Sequence, residues 1–156
     1  MTSSPESLAD SVGVVVPGFE RGAVILRDQS RQVFRLSWEE KDSAGGDRRR
    51  ALPAGTYTLA GYRLIREDEH GKTWHLSATA PAGRAIEVVA GVETQIDLDP
   101  TIRIRKHIQG KKLQVQIRGE GKMGLSIYSE GKRVPIAFEL KDARGRAVES
   151  GKIEYG

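Results

Sequence analysis

Cysteine and asparagine are both absent from the 156 residues of this chain. Without cysteine, the chain has no disulfide, no thiolate metal site and no cysteine nucleophile. Without asparagine, it has no Asn-linked glycosylation sequon and no Asn-Gly hairpin turn, so its turns depend on Gly, Asp and Pro. The compartment stays open, because reduced cytosolic proteins and cysteine-poor envelope proteins both fit this composition.

Long hydrophobic runs are also missing. The longest apolar stretches, 12–16 and 85–90, are strand-sized and much shorter than the roughly 20 residues that a membrane-spanning helix requires. Residues 1–11 show no basic region followed by an apolar core, so no export signal is visible and a disordered N-terminal tail is predicted. As it stands the sequence suits a cytoplasmic protein, and an excised fragment of a cell-envelope or secreted protein would look the same.

What the sequence does contain is alternation of apolar and polar residues, which is typical of β-strands. Seven such segments, separated by Gly, Pro or Asp, precede residue 100 and predict a Greek-key β-sandwich of the prealbumin or immunoglobulin type, with little helix. Trp38 and Trp74 each lie two residues from a leucine in the same segment, so each shares a face of its strand with that leucine. Both are therefore predicted to lie in the core. The charged and glycine-rich stretch 39–51 is predicted to be an exposed, mobile loop.

The stretch 52–68 is predicted to form the central strand of the sandwich. Tyr57 and Leu59 are at odd positions, whereas Tyr62 and Leu64 are at even positions, so in a regular strand the two pairs would point to opposite faces. One extra residue in a strand produces such a slip, and we place this β-bulge at Gly61. The bulge would keep both tyrosines and both leucines on the core face.

Positive charge is concentrated in the C-terminal third. Residues 1–100 hold 12 Lys and Arg against 15 Asp and Glu, whereas residues 101–156 hold 13 against 6. In a two-stranded ribbon after Pro100, Ile102, Ile104 and Ile108 are predicted to share one face of the first strand, and Leu113, Val115 and Ile117 are predicted to face inward on the second. A basic array is predicted on the other side. This array is a candidate site for polyanions, which attract cations through salt-dependent electrostatics. The candidate residues are Arg103, Arg105, His107, Lys111, Lys112 and Arg118.

The charge change near Pro100 suggests a division of the chain. We predict a tail at 1–11, a β-sandwich domain at 12–99 and a second, small basic β module at 100–156 packed against it. Alternatively, 100–156 completes the same sandwich. A module of 56 residues buries little apolar surface by itself, which favours tight contact between the two parts.

Residue patterns for catalysis are not found. His70, His75 and His107 are not at metal-ligand spacing, and no Gly-x-Ser-x-Gly nucleophile elbow occurs. The acidic group 67–69, together with Asp97 and Asp99, matches no dedicated calcium loop. We therefore expect no enzymatic activity, no metal and no cofactor.

Two short motifs resemble those of a known group of sandwiches. The turn 52–59 (LPAGTYTL), followed by 90–98 (AGVETQIDL), resembles prealbumin-like domains such as the carboxypeptidase regulatory-like and collagen-adhesin B-type repeats. This resemblance covers residues 12–99 and implies a sandwich that acts as a spacer, stalk or accessory module without catalysis. Residues 101–156 have a more generic resemblance to immunoglobulin-like modules.

The functional expectation is a non-catalytic accessory or interaction module of a larger or multi-component bacterial-type protein. Its partner would be another protein or a neighbouring domain. Two alternatives stay open: binding of an acidic polysaccharide or nucleic acid by the basic ribbon, and a structural spacer repeat that pairs through its edge strands.

Overall fold

The computed structural model of the chain describes residues 11–40, 46–79, 83–110 and 112–153. The predicted tail lies outside these residues apart from Ser11, as does Lys111. Within them the chain forms fourteen strands and one 3-10 helix. The strands are β1 (Val12–Pro17), β2 (Gly22–Arg27), β3 (Val33–Trp38), β4 (Arg50–Pro53), β5 (Gly55–Glu67), β6 (Thr73–Thr79), β7 (Ala85–Val88), β8 (Glu93–Ile96), β9 (Arg103–Gln109), β10 (Lys112–Arg118), β11 (Gly124–Ser129), β12 (Lys132–Arg133), β13 (Ile136–Lys141) and β14 (Ala147–Ile153), and the 3-10 helix is Glu120–Lys122.

The strands form an all-β sandwich, as the sequence predicts. The large sheet has the order β3-β2-β5-β6-β11-β10-β9, with β7 paired to β5 and β12 to β11. The small sheet has the order β4-β1-β8, in which β1 runs parallel to β8 and antiparallel to β4. Strands β13 and β14 form a separate hairpin. The described part of the chain contains no helix with the length and hydropathy of a transmembrane span.

The core lies between the two sheets and also includes residues of the C-terminal third. Val15, Leu52 and Ile96 come from the small sheet, and Leu26 and Leu59 from the large one, each 2% exposed or less. The predicted core position of Trp38 is confirmed. The C-terminal third contributes Ile117, Met123 and Leu125 to the same cluster.

Trp74 departs from its predicted core position. It lies on the core side of β6 but is only half-buried and outside the central cluster. Its indole N–H donates to Asp68 Oδ2 at 3.0 Å, and Lys72 Nζ lies 5.2 Å from the centroid of its ring. Parity identifies the face on which Trp74 lies but does not show that the strand extends past the edge of the core at this point.

The bulge in β5 is confirmed, although its extra residue is Ala60. In the ladder with β2, Leu26 lies opposite Leu59 and Ile25 lies opposite Gly61, which leaves Ala60 unmatched. Gly61 is required for another reason, because a Cβ there would lie 2.9 Å from Ala78 O on β6. As a result Tyr57, Leu59, Tyr62 and Leu64 are all 3% exposed or less.

The predicted loop 39–51 is only partly a loop. Residues 41–45 lie outside the described part of the chain, and β4 begins at Arg50. Arg48 is not exposed as expected: its guanidinium donates to the carbonyls of Phe19 and Glu20 at 2.5 and 2.6 Å, and its own carbonyl accepts from Trp38 Nε1 at 2.8 Å. An arginine that satisfies two carbonyls at the edge of the core cannot be recognised from local sequence.

The connection between β10 and β11 is anchored to the sandwich by a small polar network. The N–H of Glu120 donates to the hydroxyl of Tyr62 at 3.1 Å, and Glu120 Oε2 accepts from the N–H of Asp99 at 2.5 Å. Glu120 is only 8% exposed, and Arg84 Nε lies 3.6 Å from its other oxygen. Strand β11 then pairs with β6 from Gly124 to Ser129. The division of the chain near residue 100 stays a prediction, since two modules in tight contact and one completed sandwich both contain such a ladder.

The inward position predicted for Leu113, Val115 and Ile117 is confirmed for Ile117, which is 6% exposed, whereas Leu113 and Val115 are only half-buried. Ile102, Ile104 and Ile108 are 43%, 58% and 72% exposed. Alternation is present, because Ile104 lies opposite Ile117 and Ile108 opposite Leu113 on one face of the β9–β10 ribbon. The ribbon extends beyond the core, so only Ile117 at its base is buried.

Replacing Tyr57 with Ala is expected to cost about 3 to 5 kcal/mol of unfolding free energy, the usual range for a buried aromatic residue. The ring packs edge-on to Phe34 at 5.5 Å, and its hydroxyl donates to Pro53 O at 2.6 Å. Urea denaturation measures the change, with Val148→Ala, at a position that is 68% exposed, as the control. A cost below about 1 kcal/mol would contradict the core assignment.

Replacing Tyr62 with Phe is expected to cost about 1 to 3 kcal/mol, because the buried N–H of Glu120 loses its acceptor. The matched control is Tyr128→Phe, which removes a hydroxyl at the surface and should change stability by less than about 0.5 kcal/mol. Equal effects of the two substitutions in urea denaturation would show that the Tyr62 hydroxyl does not hold the β10–β11 connection.

Candidate functional site

The outer face of the large sheet, opposite the core, carries basic residues at both of its ends. One row of cross-strand neighbours runs the whole width of the sheet. It has an arginine on β3 at one end, an arginine on β9 at the other end, and a third arginine on β10, the strand next to β9. At about 4.8 Å per strand, this row is roughly 29 Å wide. Its members are Arg35, Ile25, Gly61, Thr79, Gly124, Arg118 and Arg103.

The register of the β9–β10 ribbon brings the described candidate residues to this same face. Arg118 lies opposite Arg103, while Arg105 and His107 lie opposite glutamines of β10. Lys112 shares their face because it is separated from Arg118 by an even number of residues. Five of the six sequence-predicted residues therefore form one surface, and Lys111 lies outside the described residues.

Arg103 is partly neutralised by Asp99. Its guanidinium lies 3.0 Å from Asp99 Oδ2, and the other carboxylate oxygen accepts from the N–H of Thr101 at 2.9 Å. Hydrogen bonds from the side chain and backbone of Thr101, followed by the one from Arg103, lower the pKa of Asp99 from 3.8 to about 2. Asp99 is thus ionised at neutral pH and offsets much of the charge of Arg103.

The other cations of the ribbon have no carboxylate partner in the described part of the chain. Arg105 and Lys112 are exposed and outside ion-pair distance of every described Asp and Glu. Arg118 donates to uncharged acceptors, Lys122 O at 2.9 Å and Gln116 Oε1 at 2.8 Å. These three residues keep their positive charge available to a ligand.

The sheet also brings to this face residues that sequence analysis missed. Tyr128 of β11 lies opposite Arg133 of β12. The guanidinium carbon of Arg133 is 5.7 Å from the centroid of the Tyr128 ring, and its Nη2–H donates to the Tyr128 hydroxyl at 3.3 Å. Arg63 of β5 projects from the same face, and Glu39 bridges it to Arg35 at 3.8 and 3.0 Å. These residues are distant in sequence, so only the pairing of β6 with β5 and β11 brings them together.

We refer to the cations on this outer surface as the basic face. It joins the ribbon to the body of the sandwich. Glu39 contacts its Arg35 and Arg63, and Asp99 contacts its Arg103. The basic face consists of Arg35, Arg63, Arg103, Arg105, His107, Lys112, Arg118 and Arg133.

The described residues hold no group of three or more His, Asp or Glu that could bind a metal ion. Asp68, which the sequence analysis weighed as a calcium ligand, is instead occupied in its own hairpin turn. Its carboxylate accepts from the indole of Trp74 and from the N–H groups of Lys72 and His70. The hydrogen bond from Trp74, and then that from Lys72, lower the pKa of this carboxyl below 3.8.

Comparison of the chain with protein-family models, with curated proteins and with solved structures found no match.

The Tyr128 hydroxyl is expected to ionise before those of Tyr57 and Tyr62. The hydrogen bond and charge of Arg133 lower the pKa of Tyr128 below 10, whereas burial raises the pKa of Tyr57 and Tyr62 above 10. A pH titration followed by the NMR shifts of the tyrosine rings measures this order. Arg133→Gln should return the Tyr128 midpoint toward 10, whereas Arg144→Gln, on the separate hairpin, should leave it unchanged.

Proposed function

We propose that this chain is a non-catalytic β-sandwich module that binds an acidic polysaccharide through the basic face. The proposal rests on one observation, the cross-strand register that places the cations of β9 and β10 and those of β3, β5 and β12 on one side of one sheet. A surface roughly 29 Å wide suits a polymer with repeated charges better than a small anion.

An acidic polysaccharide is favoured over a nucleic acid because of how the aromatic residue on this face is placed. Binding of single-stranded nucleic acid depends on bases stacking on aromatic rings as well as on phosphate contacts. On the described basic face the aromatic ring is that of Tyr128, and Arg133 already covers it. Sulfate and carboxylate groups need no stacking platform, since guanidinium and ammonium donors recognise them directly.

The wider role proposed for the module is that of an accessory part of a larger or multi-component protein. The prealbumin-like resemblance of the turn before β5 supports this role, and the turn is held by the hydrogen bond from the Tyr57 hydroxyl to Pro53 O. In that setting the sandwich would position the basic face, and a polymer on this face would connect the module to its surroundings.

Heparin provides the probe for the proposed function. We expect the chain to be retained on heparin at low ionic strength and released as salt rises. Neutralising two contacts with Arg105→Gln and Lys112→Gln should lower the eluting salt concentration and reduce the slope of log K against log salt by roughly 1.5. The measurement is elution and binding affinity over a series of salt concentrations.

The matched control is the pair Arg144→Gln and Lys152→Gln, which makes the same charge change on the β13–β14 hairpin, a two-stranded sheet that does not pair with the large sheet. It should leave the salt slope unchanged. Equal losses for both pairs would show that net charge alone causes retention, and no retention of the unmodified chain would remove the proposal. Tighter binding of single-stranded DNA than of a heparin fragment of equal charge would contradict the choice of polysaccharide.

A further inference from the structure

The large sheet opens between two of its strands. Strand β10 pairs with β9 along its length but pairs with β11 only at Arg118 and Gly124. From this point the two strands diverge and enclose a cavity of about 640 Å³, within the size range of ligand-binding pockets. We call the opening between residues 113–117 of β10 and 124–126 of β11 the wedge.

The backbone of β10 presents hydrogen-bonding groups to the wedge. At its base, the N–H of Gly119 donates to Met123 O on the β11 side at 2.9 Å. Because successive residues of a strand direct their backbone groups to opposite edges, those of Ile117, Val115 and Leu113 point the same way. Among the described residues, no strand pairs with Leu113 or Val115 on this side. Such unpaired groups are a template for another strand.

The wedge differs from the outer edge of β9, which is also open. Charged residues along an edge strand discourage pairing, and β9 carries Arg103, Arg105 and Lys106. Between Lys112 and Arg118 the wedge edge of β10 has no charged residue. Residues 127–129 on the same edge of β11 already pair with β12 and Val134, so a strand in the wedge would pair along β10 and meet β11 only at residues 124–126.

The side chains around the wedge define the strand that it fits. Toward the core it is lined by the apolar side chains of Leu113, Val115, Leu125 and Ile153. Toward the outer face it is lined by Gln114, Gln116 and Ser126, with the cations Arg105 and Lys112 beyond them on the ribbon. An inserted strand that alternates apolar and acidic residues would match both sides, because its side chains also alternate between the two faces.

We propose that the wedge binds an extended peptide of a partner protein as an additional β-strand between β10 and β11. The apolar side chains of the peptide pack toward Leu113 and Leu125, its acidic side chains face the cations of the ribbon, and its backbone pairs with Leu113 and Val115. This inference does not depend on the proposed polysaccharide binding: the acidic side chains of the peptide face Arg105 and Lys112, but backbone pairing with Leu113 and Val115 is a contact that a polysaccharide does not make.

A capped peptide of about eight residues that alternates valine and glutamate is the probe, a length that matches an ordinary strand. Amide hydrogen exchange of the full chain, followed by NMR, is the measurement. In the free protein the amides of Leu113 and Val115 should exchange rapidly, whereas those of Gln114 and Gln116, which point to β9, should exchange slowly. The peptide should slow exchange at Leu113 and Val115 by about tenfold or more.

Val115→Pro tests the backbone contact. Proline removes the N–H that points into the wedge and leaves the bonds to β9 in place. Peptide affinity should fall by about tenfold or more, whereas Val115→Ala, which keeps the N–H, should retain most of it. Unchanged exchange of the core amides verifies that the proline variant is folded. A peptide N-methylated at alternate residues provides a test that needs no variant, since methylation along the edge that faces β10 should abolish binding.

Three results would overturn the proposal. If polyglutamate of equal charge protected Leu113 and Val115 as strongly as the alternating peptide does, charge attraction alone would account for the protection. Protection that grows with protein concentration in the absence of peptide would identify a second copy of the chain as the occupant. Slow exchange of both amides in dilute free protein would mean that the wedge is already closed. Heparin retention should be the same in Val115→Pro and the unmodified chain, so failure here is distinguishable from failure of polysaccharide binding.

Discussion

The extra residue at Ala60 in β5 is the constraint on which most of the structure depends. Strand β5 pairs with β2 from Thr58 to Leu64, and on its other side it pairs first with β7 and then with β6. A one-residue shift in a strand exchanges its two faces, so without the bulge Tyr62 and Leu64 would point away from the core. With it, both halves of β5 bury their large residues in one cluster.

The position of the C-terminal third follows from this bulge. Because Tyr62 points inward, its hydroxyl is available to the N–H of Glu120, and the carboxylate of Glu120 in turn accepts from Asp99. These contacts fix the base of the β10–β11 connection beside the core. Strand β11 continues along β6, whereas β10 leaves with β9 as its partner. Anchoring of the β10–β11 connection at Glu120 therefore accounts both for the ribbon, which leaves the core with β10, and for the wedge that opens between β10 and β11.

Local sequence was sufficient for the features that depend on alternation alone. It indicated the all-β class, the burial of Tyr57 and Leu59 and the shared face of Arg103, Arg105 and Arg118. It failed where a residue's environment depends on distant strands. Ile104 and Ile108 alternate as core residues do, yet nothing in their spacing shows that the ribbon extends past the core. The contribution of Tyr128 and Arg63 to the basic face likewise requires the long-range pairing of β6 with β5 and β11.

Two kinds of recognition meet on β10: both use the cations of the ribbon, but only the peptide uses the backbone edge. In a strand, side chains project perpendicular to the sheet while N–H and C=O groups lie in its plane. The cations of β10 therefore face outward from the sheet, and the open backbone groups of Leu113 and Val115 face sideways toward β11. Neutralising Lys112 changes the electrostatic field above the sheet, whereas proline at Val115 changes only the edge. Because of this perpendicular arrangement, proline at Val115 weakens peptide pairing without removing any cation that a polysaccharide would contact.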